Sequence, residues 1–155
     1  MTVHLTVEHG PHAGVPRTEL LRRARVVSRA LQLDDTELSI VLTNDETVRR
    51  LNAAYRKKDR PTDVLAFAMQ EGPGGPERSD LLGDVVVSVE TARIQAAREG
   101  CDVLDEVTRL MVHGTLHLIG WDHDTRAKDV RMRAETDRLC RLAARRRRTT
   151  PARRA

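Results

Sequence analysis

HGTLHLIGWDH, residues 113–123, places three of the chain's six histidines within eleven positions. His113 and His117 are four apart among Leu110, Met111, Leu116, Leu118 and Ile119, so the segment reads as a helix carrying both imidazoles on one face. Their Cβ atoms then lie roughly 6 Å apart. That lets both rings reach one metal ion at Zn–N distances of about 2.0–2.1 Å. Gly120 breaks the helix and turns the chain, which brings His123 back as a third ligand. Three neutral nitrogens leave a fourth tetrahedral position for water, the arrangement of a catalytic zinc site. The expected cofactor is one zinc ion per chain on His113, His117 and His123, with Asp122 and Asp124 placed to orient a ligand imidazole. Packing explains the pattern poorly, because three imidazoles buried without partners cost several kcal/mol. His4, His9 and His12 lack such spacing and read as ordinary surface residues.

The same stretch excludes one chemistry. H-x-x-x-H-x-x-G-x-x-H matches the spacing of a metzincin peptidase, in which the residue after the first histidine is the general-base glutamate. Here that residue is Gly114, which cannot carry a proton, so peptide hydrolysis along that route is not expected. A phosphodiester is a different case, because its charged transition state calls for cationic groups.

Outward from this helix, the periodicities alternate between strand and helix. Val3, Leu5 and Val7 alternate against His4 and Thr6, a strand pattern. Leu20, Leu21, Ala24, Val27 and Leu31 repeat at helical spacing behind Pro16 and Thr18. Leu38 to Thr43 alternates again. Asn44 can cap a helix from Asp45 to about Tyr55, with Val48, Leu51 and Ala54 or Tyr55 facing inward. Pro61 ends any helical run through Arg60. Asp63 to Met69 reads as a strand, EGPGGPERSD (71–80) as a Gly/Pro-rich turn, and Val85 to Val87 as a buried strand. Helices follow from about Glu90 to Glu99, closed by Gly100, from Asp102 to about Ile119, and from Arg126 to about Ala144. The order βαβαββ followed by helices predicts an α+β fold: a mixed β-sheet of about four strands with helices packed on it and a zincin-like metal-binding helix.

A chain of 155 residues suits one domain, taken as residues 1–144, followed by a basic and disordered tail, 145–155. Seven arginines and no acid fall in the last fifteen residues, so the net charge of +4 belongs to the tail and the remainder is acidic. Such a tail can meet RNA phosphates, or it can simply be an arginine-rich end without a partner. Aromatics make up only 2%, so the core must be aliphatic. No apolar run reaches the length of about 20 residues that a membrane span needs. Two cysteines, Cys101 and Cys140, are too few for a disulfide framework, and the expected location is the cytoplasm.

With those residues in view, HGTLHLIGWDH resembles the signature of the YbeY endoribonuclease family, the rRNA maturation factors. LNAAYRKKDRPTDVLAF (51–67) and LGDVVVSVETA (82–92) resemble two further motifs of that family. With LSIVLTNDETVRRLN the likeness runs from about Leu38 to Asp124, in family order. It implies a single-strand-specific metallo-endoribonuclease acting in maturation of ribosomal RNA, at the 3′ end of 16S rRNA, and in ribosome quality control. It implies zinc on the three histidines, and single-stranded ribosomal RNA and the small ribosomal subunit or its assembly factors as partners, with no membrane. It also implies a catalytic arginine, which falls on Arg56. A guanidinium suits that role, since it stays charged and grips a phosphate through two N–H donors. The chain departs from the pattern at Trp121, where the family usually has Tyr, and at Ala66-Phe67-Ala68, where Ser-Phe-Pro is common.

On this reading Arg56, helped by Lys57 and Lys58, holds RNA phosphates at the metal, which activates water or the RNA's own 2′-hydroxyl. Asp59 and Asp63 either accept a proton or cap the turn around Pro61. With few aromatics for stacking, binding should be mainly electrostatic and salt-sensitive. Two other readings use the same residues: a metal hydrolase with a non-RNA substrate, and a non-enzymatic ribosome-associated factor with a structural zinc closed by a fourth protein ligand such as Cys101 or Cys140.

Overall fold

The computed structural model describes residues 2–56, 62–68 and 81–145, apart from the Arg56 side chain. The expectations for the Arg56 guanidinium, for Lys57, Lys58 and Asp59, for the 71–80 turn and for most of the tail lie outside the described residues.

Among the described residues the elements follow the order that the periodicities predict: β1 (Thr2–Val7), α1 (Arg17–Ala30), β2 (Glu37–Thr43), α2 (Asp45–Arg56), β3 (Val64–Ala68), β4 (Leu81–Ser88), α3 (Val89–Glu99), α4 (Val103–Leu118) and α5 (Arg126–Ala144). The strands form one sheet in the order β1-β2-β4-β3. β1, β2 and β4 run parallel, and β3 lies antiparallel to β4 at the edge. The fold is α+β with a mixed four-stranded sheet and helices on it.

Strand alternation sorts side chains between two faces. Leu38, Ile40 and Leu42 of β2, with Val85 and Val87 of β4, join the main core shared with α1, α3, α4 and α5. Val86 and Leu65 point the other way and pack with Val48 of α2, flanked by Val41, Leu51 and Phe67. Every fully buried large side chain is aliphatic or Met111, as an aromatic-poor composition requires. Two helix starts that follow strands are marked by side-chain caps. Asn44 Oδ1 accepts from the Thr47 amide at 2.9 Å at the head of α2, and Ser88 Oγ accepts from the Thr91 amide at 3.2 Å at the head of α3.

Two expectations change. β4 begins at Leu81, four residues ahead of the β-branched run, because Leu81 and Gly83 pair with Glu37 and Leu38 across a bulge. α2 buries Asn52, while Ala54 and Tyr55 are exposed. Tyr55 touches only the edge of Phe67 on β3 among the described aromatic rings, with centroids 5.5 Å apart, and most of its surface stays in solvent.

Candidate active site

α4 packs against β3 and β4 and carries His113 and His117 into a cleft between itself and the edge strand. The contact between α4 and β4 is close. A Cβ on Gly114 would meet Val85 Cγ1 at 2.7 Å. Glycine at that position therefore reflects packing, and there is no room for the glutamate that a zinc peptidase places there.

The end of α4 explains how His123 returns. The Gly120 amide donates to His117 O at 3.1 Å and the Trp121 amide to Leu116 O at 3.0 Å, the paired bonds of a Schellman closure, with Gly120 at φ 98°. Trp121 packs back onto the core that contains Leu116, as this motif favours. Two residues later His123 faces the helix it has just left. The α5 start is then set by Thr125, whose hydroxyl accepts from the Lys128 amide at 3.2 Å.

The three rings converge. His113 Nε2 and His117 Nε2 are 3.1 Å apart. Ring centroids of His123 lie 5.7 Å from His113 and 5.2 Å from His117. One nitrogen from each of the three lies within 4.8 Å of the others, and among the described residues this is the one His/Cys/Asp/Glu group with metal-holding geometry. Tetrahedral coordination at about 2.05 Å separates donors by about 3.3 Å. The His113–His117 pair already meets that spacing, and His123, which is exposed, has freedom to close in. The donor set fits one metal ion. Burial, then the neighbouring His117, pushes His113 below its usual pKa, with Asp63 opposing. That keeps the ring in the neutral form a metal needs.

Carboxylates surround the triad differently from expectation. Asp122 Oδ1 accepts from the His123 amide at 2.7 Å, and Asp124 pairs with Lys128 at 3.3 Å. Asp63 caps its own strand, accepting from the Val64 amide at 2.8 Å, and also accepts from Gln95 at 3.2 Å. It still lines the cleft of about 620 Å³ with His113, His117 and His123. Asp63 thus combines the capping role with a place at the site.

Sequence reading missed Glu106. It stands two turns before His113 on α4, is 6% exposed, and lines a groove of about 390 Å³ between α4 and α5 together with Asp63, His113 and His123. Burial raises its pKa, with Arg109 opposing. Its spacing from His113, seven residues, was the available signal, but a lone glutamate on a helix says nothing until α5 covers it. Cys101 and Cys140 line a separate groove and do not join the histidines.

A family model for endoribonuclease YbeY matches residues 17–143, which include α1 and the whole histidine segment. This chain belongs to the YbeY endoribonuclease family. An endoribonuclease YbeY of Heliobacterium modesticaldum is 49% identical over 70% of this chain and 70% of its own. That of Aquifex aeolicus is 46% identical over 71% of each chain. A third, from Anaeromyxobacter dehalogenans, is 44% identical over 88% of this chain and 68% of its own. The solution structure of a Thermotoga maritima protein shares the fold, with a TM-score of 0.64, 20% identity, and coverage of 92% of this chain and 89% of that one. No helix among the described residues is long and apolar enough to cross a membrane.

Proposed function

We propose that this chain is a single-strand-specific, zinc-dependent endoribonuclease that matures ribosomal RNA at the 3′ end of 16S rRNA and serves ribosome quality control. The observation that carries the reading is the convergence of His113, His117 and His123 at the mouth of a cleft whose helix has glycine where a peptidase has its base. Family membership supports the RNA substrate, since the related chains are named endoribonucleases.

His113, His117 and His123 would hold the ion, with His113 fixed by the helix and His123 completing the set from the turn. When bound, the metal polarises a phosphoryl oxygen and lowers the pKa of water. The chain's own groups do the rest. Arg56, at the end of α2, grips the phosphate through its guanidinium, with Lys57 and Lys58 adding charge. Asp63 is held by Val64 and Gln95 with its carboxylate at the cleft, where it can accept a proton from the attacking hydroxyl. The domain, residues 1–144, then carries the chemistry and the arginine-rich tail from 145 onward adds affinity for RNA.

Cleavage of single-stranded and duplex RNA of one sequence, in chelator and after zinc is returned, tests the reading. The expected result is cleavage of the single strand alone, lost in chelator and restored by zinc. Cleavage that persists in chelator overturns it. The rival with a structural zinc closed by cysteine is disfavoured by the position of Cys101 and Cys140, which line a groove apart from the three histidines.

A further inference from the structure

Two charged side chains are buried among the described residues, Arg23 at 8% exposure and Glu106 at 6%. Their surroundings differ. Arg23 is engaged by three partners, Glu19 at 3.1 Å, Asp105 at 2.8 Å and Thr108 at 3.0 Å. The Glu106 carboxylate has no hydrogen bond and no ion pair among the described residues. Its helix neighbour Arg109 pairs with Asp137 at 2.9 Å instead. The hydroxyls of Thr108 and Thr136 donate to Leu104 O and Met132 O within their own helices, at 2.7 Å each. A carboxylate buried in this way is costly. Its place in the first turn of α4 relieves that cost only in part, because the helix dipole acts more weakly than a hydrogen bond to the charge.

What Glu106 faces is a groove. With Leu110 and Met132 it lines the space of about 390 Å³ between α4 and α5 that also takes in His113 and His123. Small-molecule sites run to roughly 300–1,000 Å³, so the groove is large enough to hold one. It shares Asp63, His113 and His123 with the cleft of the three histidines, so an occupant of one adjoins an occupant of the other. Glu106 and His113 are seven residues apart, hence on one face of α4 and about 10 Å apart along its axis. That separation matches the reach of a nucleotide from its phosphate to the far edge of its base. Leu110 and Met132, both buried, offer apolar walls to a flat ring.

An ionised carboxylate only accepts hydrogen bonds, and it does so on two oxygens side by side. Among the four RNA bases guanine alone sets two adjacent donors, N1–H and N2–H, on its Watson–Crick edge. Adenine and cytosine place an acceptor beside their amino group, and uracil has a single N–H between two carbonyls. We propose that the α4–α5 groove is a base subsite of the nuclease, in which the nucleotide joined to the phosphate at the metal is read as guanine by Glu106. In a duplex that edge is already paired, so only an unpaired strand can enter. A cation is a poorer occupant, because among the described residues no group with metal-holding geometry includes Glu106. This deepens the nuclease reading and rests on it for the identity of the strand.

The test is calorimetric titration of the full chain with the 5′-monophosphates of guanosine, inosine, adenosine, cytidine and uridine, at a pH above the carboxylate range. The wild type should bind the guanosine nucleotide about 10- to 100-fold more tightly than those of adenosine, cytidine and uridine. Inosine, which lacks the N2 amino group, should fall between. Glu106→Gln offers one acceptor and one donor, and should bring guanosine to within about threefold of adenosine and cytidine. Equal affinities in the wild type, or no measurable binding of any nucleotide, overturn the proposal. So does a guanosine preference that survives in Glu106→Gln. The wild-type series decides the matter alone if that variant does not fold. RNA cleavage separates the two claims. A chain that prefers guanosine through Glu106 yet leaves single-stranded RNA intact removes the nuclease reading alone. One that cleaves such RNA equally beside every base removes the subsite alone.

Discussion

At the residue scale, the proposed chemistry rests on three imidazoles and one guanidinium. His113 and His117 come from one face of α4, and their Nε2 atoms already stand 3.1 Å apart. Neither alone can hold an ion tightly, so His113→Ala should leave the purified chain with little zinc and reduce RNA cleavage by at least about 100-fold. Metal content and single-turnover rate report the two effects separately. Arg56→Ala is expected to behave differently. It removes phosphate grip without touching a ligand, so zinc should stay at one per chain while cleavage falls by about 10²–10³. Loss of zinc in that variant would mean that Arg56 supports the metal and not the substrate.

The three histidines were legible as a group because their spacing matches a physical period. Two histidines at i and i+4 inside an apolar run have few explanations, and the Gly120 break accounts for the third. Tyr55 shows the opposite case. Helical spacing predicts Ala54 or Tyr55 on the inward face with Val48 and Leu51, but whether that face is covered so far along α2 depends on the neighbouring strand. Only the three-dimensional arrangement of β3 decides that, and Tyr55 comes out exposed. Glu106 was illegible for a related reason, since its burial comes from α5, far away in sequence.

At the scale of elements, the site depends on how closely α4 approaches the sheet. Gly114 faces Val85 and Val64 across that contact, and a Cβ there would come within 2.7 Å of Val85 Cγ1. Both partners are buried or half-buried β-branched residues that cannot swing away easily. Gly114→Ala is therefore expected to lose about 1–3 kcal/mol of stability despite alanine's better helix propensity. Chemical denaturation of the two chains measures it, and a more stable variant would show that the helix can lift without cost. The strand alternation and helix stops that define these elements were read from sequence with small errors at their ends. β4 was undercounted because Leu81 to Asp84 is held by pairing to β2, not by a β-branched run of its own.

At the scale of the whole molecule, α1 is tied to the helices that carry the site. Glu19 binds Arg22 at 2.7 Å and Arg23 at 3.1 Å. Arg22 reaches Ala143 O at 2.8 Å, at the end of α5, and Arg23 reaches Asp105 at 2.8 Å and Thr108 at 3.0 Å on α4. The Arg22 hydrogen bonds, with Arg23 adding to them, hold the Glu19 carboxyl at about 2 against its usual 4.5. A depressed carboxylate pKa contributes stability above the unfolded value and loses it as pH falls through the folded one. Glu19→Gln should therefore melt lower than the wild type at neutral pH, and the difference should shrink between pH 4.5 and about 2. A gap that is constant across that range would show that the charge of Glu19 is not what links the helices.

The central claim, a metal held by the three histidines, is tested most directly by metal analysis of the intact protein under native mass spectrometry. The wild type should carry one zinc ion, and His117→Ala, purified in the same way and still folded by circular dichroism, should carry none. Zinc retained at one per chain in that variant would place the metal elsewhere and contradict the account.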